Sequence, residues 1–157
     1  LQEQVVKQIL RKLPAGKARC AIVTGKTREV LKEARAAIVT SGTATIEASM
    51  MECPMTIVYA TDPITFFICK QLVEIENIGM VNIVAGRKIC PEFIQNDATP
   101  EAIAQAVAPL LDESAERSKM INALREAKES LGSGNVEQKA ADAILETISP
   151  IVPQADL

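Results

Sequence analysis

Ala36-Ala-Ile-Val-Thr-Ser-Gly-Thr-Ala-Thr-Ile-Glu-Ala-Ser-Met-Met-Glu-Cys-Pro54 is the stretch from which the fold is read. Five mostly apolar, partly β-branched residues, Ala36 to Thr40, predict a buried strand. Ser41-Gly42-Thr43 predicts a tight turn, and about ten residues of helix-forming sequence follow it. Pro54 closes that helix and opens a second apolar run, Met55 to Tyr59. Strand, turn, helix and strand make a parallel βαβ unit. Its first turn falls at the carboxyl edge of the sheet, where open α/β folds take ligands. Gly42 permits a sharp turn and a close backbone approach to a ligand. The helix start beyond it leaves amide N–H groups unpaired at the positive end of the dipole, and phosphate suits that place.

Glu47 adds to the nucleotide reading. A capping box needs a carboxylate at N3, but Ser41 as N-cap puts Ala44 there and Thr43 puts Ile46 there. Glu47 instead follows Thr43 by four residues and shares its helix face. One turn above a phosphate site, a carboxylate accepts hydrogen bonds from a ribose diol. The plainer alternative is a core βαβ unit whose carboxylate only answers the helix dipole.

The 157 residues suit one domain, and 48% hydrophobic content supplies a core. No uncharged apolar run is long enough to span a bilayer, and no stretch reads as a signal peptide. A net charge of −3 without a basic cluster argues against a nucleic-acid partner. Leu1 in place of an initiating methionine points to a trimmed piece. There is no histidine, and Cys20, Cys53, Cys69 and Cys90 are scattered, which excludes zinc sites and histidine-based catalysis within this chain. Cys20 and Cys53 fall in or beside predicted core strands and are expected as buried free thiols in a reducing cytoplasm.

Around the central unit, Val5, Ile9 and Leu13 predict an amphipathic helix ended by Pro14 and Gly16. Ala18 to Thr24 reads as a strand. Gly25-Lys26-Thr27 lacks the glycine that a P-loop needs at position 20, so it reads as a turn into a short helix, Arg28 to Ala34. Asp62-Pro63 starts a helix running to about Ile75, with Phe66 and Phe67 expected in the core rather than against an acyl chain. Ile78 to Gly86 reads as a short strand broken by Asn82, and Pro91 to Gln95 as a short turn or helix. Three helices follow: Thr99 to about Asp112, Ser114 to about Leu131 and Val136 to about Ile148. Gly132 to Asn135 is a flexible joint. Residues 1–149 form the predicted domain and 150–157 a tail.

Thr40-Ser41-Gly42-Thr43-Ala44-Thr45-Ile46-Glu47, Cys53-Pro54-Met55, Val81-Asn82-Ile83-Val84-Ala85-Gly86-Arg87 and Pro91-Glu92-Phe93-Ile94-Gln95 come in this order and spacing. Together they resemble the carboxyl-terminal half of the lipid-A-disaccharide synthases, family-19 glycosyltransferases of the GT-B fold, from about Leu1 to Leu145. The Ser-Gly-Thr…Glu part is shared by many UDP-sugar GT-B enzymes. The Asn-x-x-Ala-Gly-Arg followed by Pro-Glu-x-x-Gln is more specific. The resemblance implies an α/β, Rossmann-like donor domain with a parallel sheet flanked by helices. It implies transfer from UDP-2,3-diacylglucosamine to 2,3-diacylglucosamine 1-phosphate, with inversion, release of UDP and no metal. Ser41, Gly42 and Thr43 would line the diphosphate and Glu47 the ribose. Asn82, Arg87, Glu92 and Gln95 would line the donor-sugar cleft. Singly, Asn82 could cap a turn, Arg87 could be solvated, and Glu92 could open a helix.

Measured against that family, the first two strands of the donor domain are missing, as is the amino-terminal domain that holds the acceptor and the general base. In strand order 3-2-1-4-5-6 the missing strands are the middle ones. The predicted strand Ala18 to Thr24 then either slides against Ala36 to Thr40 or pairs with another chain, so oligomerisation through an exposed sheet edge is open. The isolated chain is expected to be inactive. The parent enzyme is expected in the cytoplasm, peripheral on the inner membrane. Two alternatives remain: another UDP-sugar GT-B enzyme (a murein-precursor transferase or a UDP-N-acetylglucosamine epimerase), and a non-catalytic nucleotide-sugar-binding module.

Overall fold

In the computed structural model, which describes residues 2–12, 19–62, 66, 77–132 and 136–148, the βαβ unit forms as the sequence predicts. Helices α1 (Gln2–Lys12) and α2 (Thr27–Glu33) precede strand β1 (Ala37–Thr40). β1 leads through Gly42 into α3 (Thr43–Met50) and then into β2 (Met55–Tyr59). The two strands are parallel, with Ala37 beside Met55 and Thr40 beside Val58. Strand β3 (Glu92–Ile94) runs parallel to β2 on its other side, with Ile57 beside Glu92. The order β1-β2-β3 is an open, Rossmann-like sheet in which strands lie side by side in chain order, like one half of a doubly wound sheet. Among the described residues nothing pairs with the outer edge of β1.

Burial holds the unit together. Met55 and Ile57 of β2 are buried with Val39 of β1, Ala48 of α3 and Leu124 in one core. α3 carries two threonines and is a modest helix former; burial of Thr45, Ala48 and Ser49 supplies what propensity does not. It ends in a Schellman motif, in which the Cys53 N–H donates to the Ala48 carbonyl (3.0 Å) and the Glu52 N–H to that of Ser49 (2.9 Å). The left-handed residue of the motif is Glu52, at φ 53°, a place glycine usually takes. Arg125 and Lys128 hold its carboxylate at 2.8 and 3.1 Å.

Among the described residues the remaining α-helices are α4 (Met80–Ala85), α5 (Pro100–Leu111), α6 (Ala115–Ser130) and α7 (Val136–Ile148). Thr99 and Ser114, where two helices are expected to start, are their N-caps: Thr99 Oγ1 accepts from the Ala102 N–H (3.2 Å) and Ser114 Oγ from the Arg117 N–H (2.9 Å). α6 packs on α3 and α4 and buries Met120, Ala123, Leu124 and Ala127, while α5 touches β2. α1 and α7 expose apolar side chains, among them Val5, Ile9, Ile144 and Leu145.

Three expectations are corrected. Residues 19–24 form no strand, and Cys20 and Val23 are exposed. An apolar run becomes a strand only where a neighbour takes its backbone hydrogen bonds, and this one does not slide against β1. Met80–Ala85 is a helix, not part of a strand. Its buried residues Val81 and Asn82 are adjacent, not alternate, and Gly86 at φ 63° closes it in a second Schellman pair, Gly86 N–H to Ile83 O and Arg87 N–H to Asn82 O. Glu92–Ile94 is a strand followed by a 3-10 turn, Gln95–Asp97, because β2 offers it a free edge. The predicted helix after Asp62 lies mostly outside the described residues, with Phe67 and Cys69, as do the 133–135 joint and the tail; the Phe66 N–H does donate to the Asp62 carbonyl at 2.9 Å.

Candidate functional site

Gly42 is the N-cap of α3, at φ 136° and ψ −162°, a backbone region open almost to glycine alone. Nothing lies within 4 Å of where a Cβ would stand, so backbone geometry and not crowding requires glycine here. With Gly42 as cap, N3 is Thr45, neither of the residues expected from Ser41 or Thr43 as caps. The Thr45 hydroxyl donates back to the Gly42 carbonyl at 2.8 Å, and its N–H does so at 3.1 Å. The N–H groups of Thr43 and Ala44 fall in the first turn, where a helix has no internal acceptor to offer. Thr43 is exposed, while Ser41, Gly42 and Glu47 are half-buried.

Ser41 connects this turn to the later motif. Its Oγ donates to the Ile78 carbonyl at 2.9 Å. The N–H of the same residue, Ile78, donates to Glu92 Oε2 at 2.9 Å. Glu92 Oε1 accepts from the Gly79 N–H (2.9 Å) and from Asn82 Nδ2 (2.7 Å). Asn82 is fully buried; Nδ2 also donates to the Cys90 carbonyl (2.8 Å), and Oδ1 accepts from the N–H groups of Ile89 and Cys90 (2.9 Å each). Both donors and both acceptor positions of that amide are therefore filled within the chain. The Cys90 thiol is pushed up to about 12 by burial and then by the nearby Glu92 charge. A side chain at Gly79 would collide with Ile57 Cδ1 and stand 3.0 Å from Glu92 Oε1.

Two predicted residues engage elsewhere. Gln95, at φ 51°, clamps the Thr61 backbone: Oε1 accepts from its N–H (2.8 Å) and Nε2 donates to its carbonyl (3.0 Å). Arg87 reaches Glu126 at 2.8 Å, beside a shallow groove between α4 and α6 lined by Val84, Ala123 and Ala127. The sequence reading missed Ile78, Gly79 and Thr61. Gly79, directly before Met80, was a visible sign of a helix start or a close backbone approach; the backbone roles of Ile78 and Thr61 carry no signal. Among the described residues no group of three or more histidine, cysteine, aspartate or glutamate side chains gathers, and no helix is long and apolar enough to cross a membrane.

The sequence matches a family model described as lipid-A-disaccharide synthetase over residues 2–147. It is 42% identical over 124 residues to the lipid-A-disaccharide synthase of Anaeromyxobacter sp. (strain K), covering 79% of this chain and 32% of that protein. It is 34% identical over 129 residues to the enzyme of that name from Myxococcus xanthus, covering 82% and 34%. With that of Enterobacter sp. (strain 638) it shares 35% over 125 residues, covering 80% and 32%. The chain thus spans about a third of the length of the curated relatives it matches.

Proposed function

The chain belongs to the lipid-A-disaccharide synthase family, glycosyltransferases of lipid A biosynthesis, and from that premise we propose that it is the nucleotide-sugar-binding part of such an enzyme. In this reading the whole enzyme joins UDP-2,3-diacylglucosamine to 2,3-diacylglucosamine 1-phosphate, inverts the anomeric centre and releases UDP. The turn Ser41-Gly42-Thr43 lines the diphosphate and Glu47 the ribose. In this reading Asn82, Arg87, Glu92 and Gln95 border the donor-sugar cleft, Arg87 while paired with Glu126 and Gln95 while clamping the Thr61 backbone. The observation that carries the reading is Gly42: it opens α3 at the carboxyl edge of a parallel βαβ unit, in a conformation only glycine holds well, with clear space in front of it. First-turn amides beside such a space suit a leaving diphosphate, whose growing charge fixed N–H donors stabilise without a metal.

The acceptor site and the general base belong, in this reading, to parts of the protein outside this chain. The isolated chain then binds donor nucleotide but transfers no sugar, because the base and the proximity of the two substrates are both lacking; the latter contributes roughly 7–11 kcal/mol. The parent enzyme works peripherally at the cytoplasmic face of the inner membrane, where its acylated substrates lie. Of the readings the sequence left open, family membership favours this one over an epimerase or a murein-precursor transferase. Calorimetry on the folded chain tests it: UDP should bind, better than AMP, with little effect of magnesium. Equal affinity for UDP and AMP, or none for either, overturns the assignment.

A further inference from the structure

Asn82 and Glu92 border the proposed cleft, yet their polar atoms are turned inward on the chain itself. Asn82 is fully buried and has no hydrogen-bonding position left for a ligand. The Glu92 carboxylate already takes three N–H donors, from Ile78, Gly79 and Asn82. What this network holds is one backbone unit. The Ile78–Gly79 peptide is gripped on both sides, its N–H (that of Gly79) by Glu92 Oε1 and its carbonyl (that of Ile78) by the Ser41 hydroxyl, while the Ile78 N–H adds a second bond to Glu92. Gly79 seats that unit against Ile57 with no room for a side chain, so its depth is fixed as well.

We propose that Glu92 and Asn82 are positioning residues that act on the diphosphate turn through Ile78 and Ser41, and that they do not touch the donor sugar. The Ser41 proton is committed to the Ile78 carbonyl, so Ser41 pins the turn in place. An anion at the turn meets the Thr43 hydroxyl and the first amides of α3. A displacement of the Glu92 carboxylate reaches the turn through a single peptide unit. This deepens the proposed function and rests on it for the identity of the ligand, though not for the coupling between Glu92 and Ser41.

UDP is the discriminating probe because it lacks the donor's transferred glucosamine. Glu92→Gln keeps the side-chain size but replaces one accepting oxygen by a donor. It should weaken UDP binding about tenfold, with the fold intact by circular dichroism. A residue that contacts only the transferred glucosamine leaves UDP affinity unchanged, and that result overturns the proposal. Amide exchange measured by NMR supplies the second readout. Ile78 and Gly79 should exchange about tenfold faster in Glu92→Gln and in Ser41→Ala, and the double variant should add little more, because both changes act on one peptide unit. Unchanged exchange, or fully additive effects, refutes the coupling. If the unaltered chain binds no UDP, the nucleotide reading fails while the exchange cycle still decides the coupling. If Glu92→Gln does not fold, Ser41→Ala, which loses only a hydroxyl, decides it alone: unchanged Ile78 and Gly79 exchange counts against the proposal.

Discussion

Asn82→Ala should be among the costliest single substitutions in this chain, and the cost should appear with no ligand present. Truncation removes the acceptor of the Ile89 and Cys90 N–H groups and the donor to the Cys90 carbonyl and to Glu92. Cys90 is fully buried, so water does not readily replace the lost amide oxygen. One buried unsatisfied amide costs about 1–3 kcal/mol, and a hydrogen bond to a charged group is worth about 1.5–3 kcal/mol. The Cys90 N–H and the Glu92 bond together set an expected loss of about 3–5 kcal/mol, in the range reserved for broken buried networks. For a chain of this size each kcal/mol moves Tm by about 2–4 °C, which gives a fall of about 6–20 °C. Thermal melts and urea unfolding of the ligand-free protein measure it. A Tm within about 2 °C of the unaltered chain, accompanied by lost UDP binding, would refute the reasoning and make Asn82 a ligand contact.

Glu47→Gln should weaken UDP binding about tenfold through loss of a charge-assisted bond to the ribose, and weaken 2′-deoxy-UDP binding much less; equal losses in calorimetry would make Glu47 structural. At the left-handed position 52, Glu52→Gly trades two partly exposed ion pairs, each worth about 0.2–1 kcal/mol, for relief of backbone strain, so it should unfold at higher urea than Glu52→Ala, which loses the same ion pairs and keeps the strain. Hydrogen bonds from Arg125 and then Lys128 hold the Glu52 carboxyl below its ordinary value, so its stabilisation is present above the ordinary carboxylate range and is lost as pH falls through the lowered folded-state value. Glu52→Gln should therefore cost stability at neutral pH and little at the acid end, a slope that urea titrations across pH would display. Iodoacetamide at pH 8 should alkylate exposed Cys20 quickly and leave Cys90 unmodified until the chain unfolds, since burial holds that thiol at about 12; peptide mass spectrometry reads the order.

The central βαβ unit, the helix starts at Thr99 and Ser114 and the turn at Gly42 were all legible in the sequence. Each rests on neighbours a few residues apart: an apolar run, a glycine, a hydroxyl three residues before the amide it accepts from. The family was legible too, because four short motifs came in one order. Helix α4 was within reach, since Gly79 and Gly86 bracket it, but the apolar run between them reads equally as a strand. β3 was out of reach, for three residues are too few to show a period and only the edge of β2 makes them a strand. Ala18 to Thr24 erred the other way: its composition suits a strand, but among the described residues nothing pairs with 19–24.

The same division runs through the site. Sequence by itself determined which residues are polar, where the turn lies and which family pattern they follow. Only the tertiary structure decided what those polar groups hold: Ser41 meets a carbonyl 37 positions away, and Gln95 meets a backbone 34 positions away. A hydrogen bond is won by whichever partner folding brings within reach in the right direction, and at such separations nothing local in the chain names that partner.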